Sequence, residues 1–193
     1  MLTVNLDGQN FPFEPLAVQN INELIELVKL NINSEKLISD INLQGQNISE
    51  VEYRAPLRIH RNSVLEINTV SREEFVNQRL ELAQAYLEVI ANKFQLVQPT
   101  YEELGQEQAA VCLADAINDL TYFFNWFYAI LETDGQRFQN SKAEIDETVK
   151  KLTEICERVV EQQLADAWQD VCTLIDAELI TSLIAFSEIA ESV

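Results

Sequence analysis

Alternation opens the chain. Leu2, Val4 and Leu6 share one parity and Thr3, Asn5 and Asp7 the other, the period-2 pattern of a half-buried strand. Asp7-Gly8 signals a turn, and Phe11 and Phe13 restart the alternation, with Pro12 and Pro15 confining this second strand to an edge. The period then changes. Ile21, Leu24, Ile25, Val28 and Ile32 recur at helical spacing behind Asn20 or Asn22 as N-cap. After Asn33-Ser34 the pattern reverts to strands: Ile38, Ile41 and Leu43, a turn at Gln44-Gly45-Gln46, then Ile48. Pro56 marks a loop, and Asn62-Ser63 precedes a last strand built on Val64, Leu65, Ile67 and Val70.

From residue 71 the apolar positions recur every three or four residues almost without interruption. Three capping boxes punctuate them: Ser71-Arg72-Glu73-Glu74, Thr100-Tyr101-Glu102-Glu103 after Pro99, and Ser141-Lys142-Ala143-Glu144 after Asp134-Gly135. They predict helices over about 72–98, 101–133 and 142–191. The third carries an apolar stripe from Ile145 through Leu152, Val159, Leu164, Trp168, Ile175 and Leu183 to Ile189, with no Gly or Pro. A continuous helix of that length would reach about 75 Å. Either part of its stripe meets a second chain, as in a dimer of long helices, or it breaks near Gln162–Gln169 and closes a four-helix bundle. Without a helix-stop signal in that stretch, the expectation is the long helix and the dimer.

The first 70 residues resemble the ubiquitin-like β-grasp superfamily: a hairpin over Leu2–Val18, one helix around Ile21–Leu30, a short strand and glycine turn over Ile41–Ile48, and a closing strand over Ser63–Val70. The resemblance implies a last strand paired parallel with the first at the centre of the sheet. It does not imply a covalent tag, because no diglycine follows Val70. The expected fold is α+β: a small ubiquitin-like β-grasp domain over 1–70, then an all-α bundle of long helices over 71–193.

Charge separates the two parts. Of a net charge of −19, residues 1–71 carry −4 and residues 72–193 carry −15. An acidic helical surface repels nucleic-acid phosphates and anionic membranes, and suits a basic partner or simple solvation. No basic, apolar leader opens the chain, and Cys112, Cys156 and Cys172 are an odd number set in helical patterns, so the expectation is a cytoplasmic protein with reduced thiols. The most apolar stretch, Ala109–Leu131, is interrupted by Asp115, Asn118, Asp119 and Asn125, which disfavours a membrane span.

Candidate chemistry is sparse. His60 is the single histidine, and the four glycines, Gly8, Gly45, Gly105 and Gly135, are too scattered for a phosphate-binding loop. Asp115 with Asp119, and Asp166 with Asp170, each share a helix face, but a cation there would need ligands from further helices. No cofactor or metal site is expected. Two clusters stand out. Arg54, Arg58, His60 and Arg61 make a basic patch, a candidate partner surface. Tyr122, Phe123, Trp126 and Phe127, with Trp168 and Phe186 further on, are candidates for helix packing or a dimer interface, and the aromatic segment also suits a ligand pocket.

The functional expectation is a non-enzymatic interaction or scaffold protein that dimerises through its helices and binds protein partners. One alternative is an acidic chaperone for a basic or aggregation-prone partner, which requires an exposed apolar groove and salt-sensitive binding. The other is a small-ligand sensor or enzyme, which requires a cavity near Asp115 and Trp126.

Overall fold

The computed structural model describes residues 2–12, 20–48 and 63–192. Contacts divide the chain into two units, Met1–Phe75 and Val76–Val193. Within the first, β1 (Thr3–Leu6) and β2 (Gln9–Asn10) form a hairpin through Asp7 and Gly8, both at positive φ, the turn that matches the twist of the strands it joins. Thr69 donates to the Asp7 carboxylate from its N–H and its hydroxyl, both at 2.7 Å, and Lys36 donates at 3.1 Å. Burial pushes the Asp7 carboxyl up, but the Thr69 donors and Lys36 outweigh it and hold it below its ordinary value. The turn is thereby tied to two other strands.

Helix α1 (Ile21–Asn31) starts where Asn20 Oδ1 accepts from the Glu23 N–H, and the Asn20 amide returns a bond to the Glu23 carboxylate, each at 3.0 Å. Strands β3 (Lys36–Leu43) and β4 (Gln46–Asn47) are joined by a second two-residue turn, Gln44-Gly45, and β5 (Val64–Ser71) completes the sheet. The order is β2-β1-β5-β3-β4, with β1 and β5 parallel from Thr3↔Val64 to Leu6↔Ile67 and the other pairs antiparallel. Val4, Ile41, Leu65 and Ile67 from one sheet face enclose a core with Ile21, Leu24, Ile25 and Val28 of α1. This mixed sheet packed with a helix agrees with the element order read from the sequence. The strand expected to restart at Phe11 is instead Gln9–Asn10, and Phe13 lies outside the described residues.

The helical part comprises α2 (Arg72–Gln95), α3 (Val97–Leu104), α4 (Gln106–Thr133), α5 (Lys142–Leu164), α6 (Trp168–Leu174), a π-helical turn (Ile175–Leu179) and α7 (Ile180–Ser192). Its long segments run antiparallel in succession. Tyr86 of α2 meets Trp126 of α4, Tyr128 of α4 meets Asp146 of α5, and Arg158 of α5 meets Glu178 beyond α6. The core stripe of α4 (Ala109, Leu113, Ala116, Leu120, Phe123, Phe127, Ile130) holds strict 4-3 spacing, as does that of α2 from Val76 through Leu87 to Phe94. Phe186 of α7 closes against Phe123, Phe124 and Phe127 at 5.3–6.0 Å between ring centroids.

The continuous third helix is overturned. Helix α5 ends at Leu164, and Asp166 takes φ +60. The Ala167 N–H donates to the Gln162 carbonyl and the Asp166 N–H to the Gln163 carbonyl, a left-handed C-terminal cap that satisfies the last carbonyls and turns the chain back. Leu164, expected in the stripe, is accordingly 80% exposed. Beyond the turn the buried positions Val171, Ile175, Leu179 and Leu183 are four apart three times running. On a regular α-helix that run drifts by about 120°, and the π turn absorbs the drift.

The other boundaries also move. Ser71 caps α2 as expected, accepting from the Glu74 N–H at 3.1 Å. Thr100 lies inside α3, and its hydroxyl donates to the Leu96 carbonyl. The break falls at Gly105, at φ +85 and ψ 179, a region essentially closed to residues with a Cβ. Ser141 precedes α5 but makes no capping bond.

An Asp in the left-handed cap position strains the backbone. Asp166→Gly should therefore raise the unfolding free energy by about 0.5–1 kcal/mol, and Asp166→Val should lower it, in urea titrations followed by circular dichroism.

Candidate binding site

Helix α4 lies between two apolar grooves, both within the helical unit. Toward α2, a cavity of about 240 Å³ is walled by Tyr86, Val89 and Ile90 on one side and by Asp119, Tyr122, Phe123 and Trp126 on the other. The Trp126 ring meets Tyr86 edge-on at 5.1 Å and leans on Phe123 at 5.7 Å. Tyr122 is 72% exposed, Val89 55% and Tyr86 48%, so these apolar side chains form a surface. The patch runs along α2, where Leu82, Tyr86 and Val89 are exposed large hydrophobics, and ends on exposed Leu96 in the turn just beyond it. With Lys93 they make a 4-3-4-3 row one residue behind the core row Ala83, Leu87, Ile90, Phe94 and Val97. Lys93 carries the charge of that row, and the Asp119 carboxylate accepts its ammonium. That bond raises the Lys93 pKa, against some desolvation and with smaller help from the Asp119 and Asp115 charges.

Toward α5, a larger groove of about 660 Å³ opens. Ile117, Leu120, Thr121, Phe124, Asn125 and Tyr128 line it from α4. Val149, Thr153, Cys156, Glu157, Val160 and Glu161 line it from α5. One end is bridged where the Tyr128 hydroxyl donates to the Asp146 carboxylate at 2.8 Å. Burial, then that bond and the Asp146 charge, push the Tyr128 phenol up to about 12. Burial, with the Glu157 charge, pushes the Cys156 thiol up to about 11, which keeps it protonated and unreactive near neutral pH.

The predicted aromatic residues divide between core and surface. Phe127 and Phe186 are fully buried, Phe123 and Trp168 nearly so, and Trp168 stacks on Tyr101 at 5.3 Å. Tyr122 is at the surface, and Trp126 is half-buried at its edge. Arg54, Arg58, His60 and Arg61 lie outside the described residues. Asp115 and Asn118 are exposed, Asp119 is engaged by Lys93, and among the described residues no group of three His, Cys, Asp or Glu side chains could hold a metal ion. All three cysteines are free thiols. No helix among the described residues is long and apolar enough to cross a membrane. The sequence reading missed Tyr86, Val89 and the whole α5 wall. The second 4-3 row on α2 was the available signal for the first two.

Comparison with protein families, with curated proteins and with solved structures gives no match.

The Tyr128 phenol titrates above its unfolded value near 10, so its share of stability is complete below about pH 10 and is lost as pH rises from 10 toward 12. Tyr128→Phe should cost about 1 kcal/mol at pH 7 and flatten the stability profile between pH 10 and 12, both measurable by urea unfolding.

Proposed function

We propose that this protein is a chaperone-type binding protein, not an enzyme, whose acidic helical unit captures a cationic, apolar-rich segment of a partner protein. One observation carries the reading: large apolar side chains, Tyr86, Val89 and Tyr122, stand exposed around a cavity on the unit formed by residues 76–193, and Leu82, exposed one turn before Tyr86 on α2, extends the row. Those residues include seven basic and 21 acidic side chains, a net of −14. A contiguous apolar patch on a soluble surface marks an interaction site. The charge around it selects what docks: a second copy brings another −14 and is repelled, whereas a basic segment is drawn in.

Within this reading the N-terminal unit is a β-grasp domain of the ubiquitin-like type. What supports that assignment is the strand order β2-β1-β5-β3-β4, the parallel central pair and the single described helix on one face.

The test is fluorescence anisotropy with a labelled peptide of alternating leucine and lysine clusters, against a leucine–glutamate peptide of the same pattern. The lysine peptide should bind, weakening at least tenfold between about 50 and 300 mM salt, and Tyr86→Ala with Tyr122→Ala should weaken it by about tenfold. Equal binding of the glutamate peptide, or binding indifferent to salt, contradicts the proposal.

A further inference from the structure

The α4–α5 groove differs from the α2–α4 patch in shape and in charge. Its floor is apolar over Ile117, Phe124, Val149 and Val160, and from Val149 to Glu161 it follows α5 for about 18 Å, the length of a three-turn helix. Its charge is uneven. Tyr128 and Asp146 bridge one end with a hydrogen bond. Toward the other end, Glu157 and Glu161 project from the same face of α5, four residues apart, and among the described residues neither forms an ion pair. The nearby cations bond other carboxylates: Lys150 pairs with Glu154 at 3.7 Å, and the two terminal nitrogens of the Arg158 guanidinium donate to Glu178 at 2.7 and 2.9 Å, while the Glu161 charge acts on Arg158 without forming an ion pair. The C-terminal end of α5, with its carbonyl dipoles, adds to the negative potential beside Glu161.

We infer that this groove receives an amphipathic helix of about three turns from a partner protein, its apolar face on Phe124, Val149 and Val160 and its lysines or arginines at one end, over Glu157 and Glu161. Helix-in-groove docking uses apolar anchors at i, i+3 or i+4 and i+7, which the groove length accommodates. The two glutamates, one turn apart, set which end of the incoming helix is basic. The inference rests on the cationic partner proposed above but assigns it a second, separate site. Its failure is therefore distinguishable from failure at the α2–α4 patch.

The experiment uses the full chain and two 15-residue helical peptides of identical composition, one with its lysines gathered at the N-terminal end and one with them spread evenly. Titrations are followed by anisotropy at about 50 mM salt. Glu157→Gln with Glu161→Gln, both at exposed positions, should weaken the end-charged peptide by about fivefold and reduce its salt dependence, while barely changing the evenly charged one. Thr153→Arg, which plugs the groove from an exposed position, should weaken the end-charged peptide by about tenfold with the thermal midpoint unchanged, and adding Tyr86→Ala and Tyr122→Ala should remove the binding that remains. Tyr86→Ala with Tyr122→Ala should leave the end-charged peptide bound. Loss of binding only in the Tyr86 and Tyr122 variant overturns the groove assignment and leaves the proposed function standing. No binding of either peptide overturns both. A chain that dimerises, and becomes monomeric with Thr153→Arg, assigns the groove to a second copy and overturns the inference.

Discussion

The left-handed turn at Asp166 is the constraint on which the helical unit depends. From Ile145 to Ile189 the chain carries one uninterrupted apolar stripe, and a straight helix would carry its second half out of reach of the first. By reversing over Ala165–Ala167 the chain lays Ile175, Leu179, Leu183 and Phe186 back against α4 and α5. Phe186 then fills the space among Phe123, Phe124 and Phe127, and Arg158 clamps Glu178 across the returning pair. Burial of these side chains contributes roughly 1.5–3 kcal/mol each, far more than the strain of one non-glycine residue at φ +60.

Internal closure decides what is left for function. The stripe that a long-helix dimer would have used is consumed within the chain. Among the apolar positions that remain accessible are the α2 row one residue behind its core row and the lining of the α4–α5 groove. Both border α4, and both lie on a unit rich in carboxylates. On the proposed reading, apolar surface supplies affinity without choosing a partner, and the surrounding negative charge favours a cationic one. A cationic amphipathic segment satisfies both terms at once.

The fold was legible wherever local chemistry has one outcome. Asp7-Gly8 and Gln44-Gly45 could only turn, one of two nearby asparagines, Asn20 or Asn22, had to cap, and Ile21, Leu24, Ile25 and Val28 could only form one buried face. The boundaries that failed are those where a motif is necessary but not sufficient. A capping box needs its hydroxyl residue outside the helix, and Thr100 is inside one, because Pro99 is tolerated in a first helical turn and Gly105 supplies the real break. The stop after Leu164 was invisible because its left-handed position holds Asp where glycine is the usual signal. Site legibility followed the same rule. The aromatic residues of 122–128 were found, but which of them face outward depends on where α2 and α5 pack, and no single-helix pattern contains that. The α2 row was hidden by its neighbour: two apolar rows side by side read as one broad face until the core takes only one of them.

The most direct test of this account is an intrachain distance. Spin labels at Lys150 and Ala185, both exposed, would report it by pulsed dipolar spectroscopy, in cysteine-substituted protein diluted into unlabelled chain. Reversal at Asp166 places the two positions on adjacent antiparallel helices, whose axes pack about 8–10 Å apart, so the label distance should fall below roughly 30 Å. A distribution centred near 50 Å, the span of 35 residues of unbroken helix, would contradict the closed bundle and everything built on the surface it leaves exposed.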